Sequence, residues 1–236
     1  MLNYKKNKNK IERGVKKHLI TAANPKSPIS EQYRTIRTNI QFSMIDKKLK
    51  TLAFTSATPG EGKSTTISNL AVTLALQDEK VLLIDADLRK PTIHQLMEVR
   101  NRYGLTSLIS QRVAIGEAIL PTFKTKNLDI LPSGPIPHNP SELLGSKMMQ
   151  DLIVELSQKY DWLLFDTPPV LAVTDAQVLG SLCDGVILVL KSHRTEKKEL
   201  IKAKELLEKA NTNLIGTVIN GVDAKEFGHS YYGDWS

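Results

Sequence analysis

The stretch Phe54-Thr55-Ser56-Ala57-Thr58-Pro59-Gly60-Glu61-Gly62-Lys63-Ser64-Thr65-Thr66 constrains the fold more than any other part of the sequence. An apolar run, Leu52-Ala53-Phe54, reads as a buried strand that delivers a glycine-rich turn. A helical pattern begins at Lys63. Strand, Gly-Lys-Ser turn and helix together form the Walker A arrangement. The residue types follow from what a phosphate needs. Gly60 and Gly62 permit backbone conformations and close approaches that a Cβ obstructs. Successive N–H groups then form a nest for anionic oxygens, and the positive end of the following helix adds to it. Lys63 supplies a point charge for the β- and γ-phosphates, and the Ser64 hydroxyl suits Mg²⁺. Thr58, Pro59, Gly60, Glu61, Gly62, Lys63, Ser64 and Thr65 are therefore the expected nucleotide-contacting residues. One position departs from the consensus: Ala57 stands where a glycine is usual.

Two further apolar runs end in carboxylates. Val81-Leu82-Leu83-Ile84 is a continuous run of the kind found in a central parallel strand covered on both faces. It leads into Asp85-Ala86-Asp87-Leu88-Arg89. Trp162-Leu163-Leu164-Phe165 ends at Asp166 and is followed by Thr167-Pro168-Pro169, a Walker B strand stopped by two prolines. Ligands of open α/β sheets sit beyond the carboxyl ends of the strands. Asp85, Asp87 and Asp166 are thus aimed at the nucleotide, and Lys63 and these aspartates are the catalytic candidates. Ser64, Asp87 and Asp166 are the candidates for a Mg²⁺ that keeps much of its hydration shell. Leu128–Leu131, Val186–Leu190 and Leu214–Ile219 read as further strands, with helical patterns between them. The sequence predicts an α/β fold of the P-loop NTPase type, with a mostly parallel sheet and helices on both faces. Asn220, at the end of the last strand, either reads a nucleobase through its amide or is a turn residue.

Before the first strand, Ile29, Tyr33, Ile36, Ile40 and Met44 keep one helical face, which Ser27 or Ser30 would cap. Glu31, Arg34 and Arg37 form a charged stripe on the other side. Two readings are open for it: an intrahelical pair, or a contact between subunits. Ser141 is the expected cap of a short helix through Leu144, and a longer helix is expected over Ser146–Lys159. Thr195–Ala210 reads as a Lys/Glu-rich surface helix.

Composition sets the outer bounds. The 236 residues are 41% hydrophobic and 24% charged, ordinary for a globular protein. No apolar run approaches the roughly 20 residues of a membrane span, and the Lys- and Asn-rich beginning is unlike a signal peptide. The lone Cys183 excludes an intramolecular disulfide and a multi-cysteine zinc site. The net charge of +7 is concentrated in Lys5, Lys6, Lys8, Lys10, Arg13, Lys16 and Lys17. Nothing resembles a nucleic-acid-binding motif, so no nucleic-acid partner is expected. The division expected is a basic leader over 1–24, a nucleotide-binding domain over 25–220 and a flexible tail over 221–236 with Tyr231-Tyr232 near its end. From Asn220 to Tyr231 an extended chain spans at most roughly 35–40 Å.

Pro59-Gly60-Glu61-Gly62-Lys63-Ser64, Leu83-Ile84-Asp85-Ala86-Asp87-Leu88-Arg89 and Leu164-Phe165-Asp166-Thr167-Pro168-Pro169 resemble Walker A, A′ and B of the bacterial tyrosine kinases (BY-kinases) of capsular and exopolysaccharide biosynthesis. Glu31-x-x-Arg34-x-x-Arg37 is similar to that family's oligomerisation motif, and Asn139-Pro140-Ser141-Glu142-Leu143-Leu144 also resembles its pattern. The resemblance covers about residues 27–236. It implies a MinD/ParA-like fold, ATP and Mg²⁺ as cofactors, and Tyr231 and Tyr232 as autophosphorylation sites. It implies a homo-oligomer, as a ring, in which Glu31, Arg34 and Arg37 make the contact. It further implies protein substrates, a cognate tyrosine phosphatase and a separate transmembrane adaptor of the polysaccharide co-polymerase type. The chain is similar to the free cytoplasmic kinases of Gram-positive bacteria, held at the inner membrane face through that adaptor. Asp85, first off its strand, is the favoured base. The competing expectation is a partitioning or positioning ATPase, a nucleotide switch without kinase activity. Its signature lysine belongs at position 58, which here is Thr58.

Overall fold

The computed structural model describes residues 19–43, 49–122 and 124–223. Tyr231, Tyr232, Met44 and the leader's cations from Lys5 to Lys17 lie outside the described residues. Among the described residues seven strands form one sheet: β1 (Thr51–Ser56), β2 (Val81–Asp85), β3 (Leu120–Pro121), β4 (Leu128–Leu131), β5 (Trp162–Asp166), β6 (Gly185–Lys191) and β7 (Leu214–Asn220). Their spatial order is β3-β4-β2-β5-β1-β6-β7. Every pairing is parallel except β3 with β4. The two-residue β3 was not expected. A proline-containing pair of residues carries no periodic signal, and Pro121 is tolerated because it sits on an edge strand.

The continuous apolar runs are explained by burial on both faces. Side chains alternate across a strand, so Leu82 and Ile84 join one core while Val81 and Leu83 join the other. The first core takes Leu152, Ile153 and Leu156 of α8 (Lys147–Lys159) and Ala203 and Leu207 of α10 (Lys197–Lys209). The second takes Ile67, Leu70 and Leu74 of α3 (Lys63–Ala75), the helix that follows the glycine-rich loop. Shorter helices fill the rest: α4 (Ile93–Leu96), α5 (Leu105–Ile109), α6 (Ile115–Ala118), α7 (Pro140–Leu144) and α9 (Asp175–Gly180).

The helix expected from Ile29 is α2 (Pro28–Phe42), with Ser27 as its N-cap accepting from the Ser30 N–H at 3.1 Å. Its charged stripe divides. Glu31 and Arg34 pair with each other and are exposed, whereas Arg37 turns towards α3, with Nη1 3.5 Å from the Thr73 carbonyl oxygen. Ser141 does not cap α7; Asn139 holds the cap position, and the Ser141 hydroxyl donates instead to Asp175 at 2.5 Å.

The packed domain begins before residue 25. Leu19 is buried in the α3 core, and a one-turn helix, α1 (Ile20–Ala23), follows it. Buried Thr21 uses both its N–H and its hydroxyl on the Asn69 side-chain oxygen, at 3.0 and 2.9 Å. Asn69 is fully buried in α3, so the strap is fastened to the helix that carries Lys63 and Ser64. A protein starting at residue 25 should therefore be less stable than one starting at residue 19 by about 2–4 kcal/mol, from one buried leucine and two buried hydrogen bonds. Urea unfolding of the two proteins measures the difference, and equal midpoints would refute this boundary.

Candidate active site

β1 ends at Ser56, and the chain turns through Ala57–Gly62 into α3. Gly60 and Gly62 have φ of 82° and 91°, a region that side chains with a Cβ rarely enter. At Gly62 space is also lacking: a Cβ would lie 1.8 Å from the Asn220 side-chain nitrogen. Gly62 is the N-cap of α3, so the helix's free N–H groups and positive end face the loop. The turn thus forms the anion cradle that its residue types call for.

Lys63 and Ser64 converge on one carboxylate. Lys63 Nζ donates to Asp166 Oδ1 at 2.6 Å, and the Ser64 hydroxyl donates to Asp166 Oδ2 at 2.6 Å. Asp87 Oδ2 lies 3.9 Å from the same ammonium. β2 and β5 pair in register with Asp85 opposite Asp166, so the third carboxylate is next door. Two carboxylates therefore face one ammonium in a buried site, with a third carboxyl beside them. This excess of negative charge, made of hard oxygen ligands, fits a divalent cation. Among the described residues no three acidic, histidine or cysteine side chains converge on a closed metal cage. Mg²⁺ seldom needs one, since it takes one or two carboxylates, phosphate oxygens and several waters.

The two aspartates after β2 differ sharply in environment. Asp87 lines a cavity of about 800 Å³ together with Gly60, Gly62, Lys63 and Ser64. Asp85 is fully buried and does not line it. Asp85 Oδ2 accepts from the N–H groups of Thr92 and Ile93 at 3.0 and 2.9 Å, while Oδ1 has no hydrogen-bond partner. Burial, and then the neighbouring Asp166 charge, push the Asp85 carboxyl up to about 8. Burial also raises Asp87, although Lys63 opposes the shift. Away from the loop the cavity is bounded by Leu96, Pro168, Pro169, Ala172 and Val173, with Arg89 and Lys90 also on its wall. These were not legible as site residues, except that Arg89, Pro168 and Pro169 belong to the quoted motifs. Arg89 is bound to fully buried Asp175 by Nε and Nη2, both at 2.9 Å, with Ser141 on the same carboxylate. That places the Asn139–Leu144 motif in a brace behind the site.

Thr58 and Asn220, both expected nucleotide contacts, hydrogen-bond to Glu61. Thr58 does not line the cavity; its N–H and hydroxyl go to the Glu61 carboxylate at 3.1 and 3.2 Å. Asn220 donates its amide to the Glu61 carbonyl oxygen at 3.0 Å. Burial pushes the Cys183 thiol well above its ordinary range, which suits a core residue.

A family model described as an AAA domain matches residues 49–216. The tyrosine-protein kinase YwqD of Bacillus subtilis is 50% identical over 220 residues, covering 93% of this chain and 92% of that protein. The putative tyrosine-protein kinase CapB of Staphylococcus aureus is 41% identical over 212 residues, 89% of this chain and 92% of that one. The chain belongs to the bacterial tyrosine-protein kinases. Among solved structures, the chimerical protein CapA2B2 matches this kinase with a TM-score of 0.83 and 42% identity over 86% of this chain and 89% of that one. The septum site-determining protein MinD of Pyrococcus horikoshii, complexed with Mg-ADP, is 23% identical over 77% of this chain and 76% of that one, with a TM-score of 0.62, and shares the fold alone. The kinase therefore binds a nucleotide with a metal on a P-loop, as its cradle and carboxylates require.

Asp85 makes stability depend on pH. Its folded form holds a proton at pH values where the unfolded chain, with an ordinary aspartate near pH 4, has released it. The folded state then binds more protons, so stability falls as pH rises from about 4 to about 8. In metal- and nucleotide-free buffer, Asp85→Asn should flatten this decline. Thermal unfolding at pH 5 and pH 8 checks it, and an unchanged slope would show that Asp85 ionises normally.

Proposed function

We propose that this chain is an ATP:protein-tyrosine phosphotransferase that phosphorylates Tyr231 and Tyr232 and regulates capsular or exopolysaccharide synthesis and export. The observation that carries the reading is that Lys63, Ser64 and Asp87 line one cavity, with Lys63 and Ser64 both bonded to the buried Asp166 behind it and Asp85 beside that, in a chain of this family. Mg-ATP supplies the phosphoryl group and the metal's positive charge. In phosphoryl transfer the protein mainly positions groups and neutralises charge. Lys63 and the loop amides hold the β- and γ-phosphates, and Ser64, Asp87 and Asp166 hold the metal or its waters. Asp85 takes the proton of the acceptor hydroxyl. In the metal-free site Asp85 is protonated and does not line the cavity; the charge of a bound metal would favour its ionised form, and its Oδ1 has no hydrogen-bond partner. Asp85→Asn should lower phosphotyrosine formation by about 10²–10⁴-fold. Mg-nucleotide affinity should fall more in Asp87→Asn than in Asp85→Asn. The opposite pattern would exchange the two roles.

The assembly follows from the same reading. Exposed Glu31 and half-exposed Arg34, on the outer side of α2 with Arg37 next on the stripe, support α2 as the contact between subunits of a ring. No helix among the described residues is long and apolar enough to cross a membrane. Membrane location then comes from a transmembrane adaptor that activates the kinase at the cytoplasmic face, with a tyrosine phosphatase reversing the modification. β7 is parallel to β6 and ends on the loop side of the sheet, which supports a tail able to reach a neighbouring site. Lys63→Met chains, mixed with chains carrying Tyr231→Phe and Tyr232→Phe, should acquire phosphotyrosine on their tails when given Mg-ATP and the adaptor's cytoplasmic peptide. Mass spectrometry of the separated chains reads the label. Co-assembled chains with no label on the Lys63→Met partner would exclude transfer between subunits. ATP hydrolysis without any phosphotyrosine would instead favour a nucleotide switch.

A further inference from the structure

Glu61 is an odd residue to find in a phosphate cradle. Its carboxylate has the same sign as the ligand, and it is only 1% exposed. A buried carboxylate persists where donors satisfy it. Two of the donors come from within the loop, the Thr58 N–H and hydroxyl. The third comes from 134 residues away: the Thr195 hydroxyl, 2.5 Å from Glu61 Oε1. The direction of that bond is fixed. The Thr195 oxygen already accepts the Lys191 N–H at 2.8 Å, so its single proton goes to Glu61.

The loop's outer edge is held by the same region of the chain. Arg194 donates to the carbonyl oxygens of Pro59 and Gly60, at 3.2 and 3.4 Å. Asn220 donates to that of Glu61. Three successive carbonyls are thus pinned from outside. Because each peptide unit is planar and trans, its N–H points opposite to its C=O. Fixing the carbonyls of residues 59, 60 and 61 therefore fixes the amides of Gly60, Glu61 and Gly62, which are members of the anion nest. Thr195 anchors this arrangement to the end of β6 through Lys191.

We propose that Thr195, acting through Glu61 and assisted by Arg194, is a positioning residue for nucleotide binding: the turn between β6 and α10 sets the direction of the phosphate-loop amides. The proposal rests on the nucleotide site and is independent of the phosphate's acceptor. Thr195→Val keeps the shape and removes the hydroxyl. It should weaken Mg-ADP binding, measured by calorimetry, by about tenfold, the size of one hydrogen bond to a charged group. KM for Mg-ATP should rise by a similar factor while kcat changes by about twofold or less, since the loop holds ground and transition states alike. Thr195→Ser should restore both. Arg194→Ala should weaken binding by about two- to threefold, as fits an exposed contact. Hydrogen exchange at residues 59–62 should quicken in Thr195→Val. Lys50→Met, which removes a bond to the Ser157 carbonyl far from the loop, controls for general destabilisation. Unchanged Mg-ADP affinity in Thr195→Val, failure of serine to rescue, or an equal loss in Lys50→Met would each overturn the proposal. Should Thr195→Val not fold, Glu61→Ala decides, because it removes the acceptor of all three bonds; unaltered affinity there is equally fatal. Mg-ADP binding without phosphotyrosine in the unaltered protein would remove the kinase reading and leave this one standing.

Discussion

The Asp166 carboxylate, with Lys63 on one oxygen and Ser64 on the other, is the interaction on which the site depends. It joins the end of a central strand to the first two residues of the phosphate-loop helix, and so fixes loop, helix and sheet edge relative to one another. The arrangement is poor as a stabilising device. Asp87 and Asp166 carry more negative charge than Lys63 can offset, and the buried Asp85 beside them keeps its proton. Buried ion pairs rarely stabilise a fold beyond well-packed apolar side chains, although removing one partner of such a pair costs about 3–5 kcal/mol. A cluster with an unmatched charge is better understood as a receptor for a cation and the phosphates that accompany it.

The fold makes this cluster possible by register. β5 lies between β1 and β2, so the loop after β1 and the carboxylates after β2 flank the carboxylate that ends β5. All three strands are parallel and stop at the same edge. Burial on both faces leaves the polar groups of that edge as the place where the sheet meets a ligand. The same burial separates the two aspartates after β2. Asp85 is the last residue of its strand and remains under the α4 amides, whereas Asp87, two residues on, has emerged at the cavity. One residue of spacing thus produces two carboxylates with different solvation, and hence different proton affinities.

Much of this was legible in the sequence because its causes are local. Apolar runs mark strands, Gly62-Lys63-Ser64 marks a helix start after a nest, and Asp85, Asp87 and Asp166 stand at strand ends. What stayed hidden depends on contacts distant in sequence. Leu19 and Thr21 look like part of a basic leader, and only the Asn69 partner reveals a packed strap. Ser141 follows an Asn-Pro pair and so reads as a cap, yet Asp175 draws its hydroxyl away. Arg37 shares a helical stripe with Glu31 and Arg34, but the α3 backbone claims it. Thr195 opens a Lys/Glu-rich helix and shows nothing of its role, since Glu61 comes to it through the sheet. The cavity's far wall is built from small and apolar residues, such as Ala172 and Val173, whose chemistry is ordinary everywhere else.

Position 58 belongs to the same network as Glu61 and Thr195. A switch ATPase of this fold is expected to carry lysine there, and this chain carries threonine. Thr58 offers both its N–H and its hydroxyl to Glu61, the carboxylate that Thr195 reaches from the other side. The position is thereby part of the loop's internal scaffold. A lysine at 58 would have no hydroxyl to give Glu61 and would place a long cation beside a carboxylate already supplied with donors. The absence of lysine is consequently more than a missing catalytic group: the loop has been built around the smaller residue. In such a loop Lys63 is the cation held on the Asp166 carboxylate, and of the acidic pair after β2 Asp87 reaches the cavity while Asp85 stays buried beside it. A second carboxyl of raised proton affinity beside the metal candidates is a feature that a phosphotransferase can use and a switch, which has no acceptor to deprotonate, does not need.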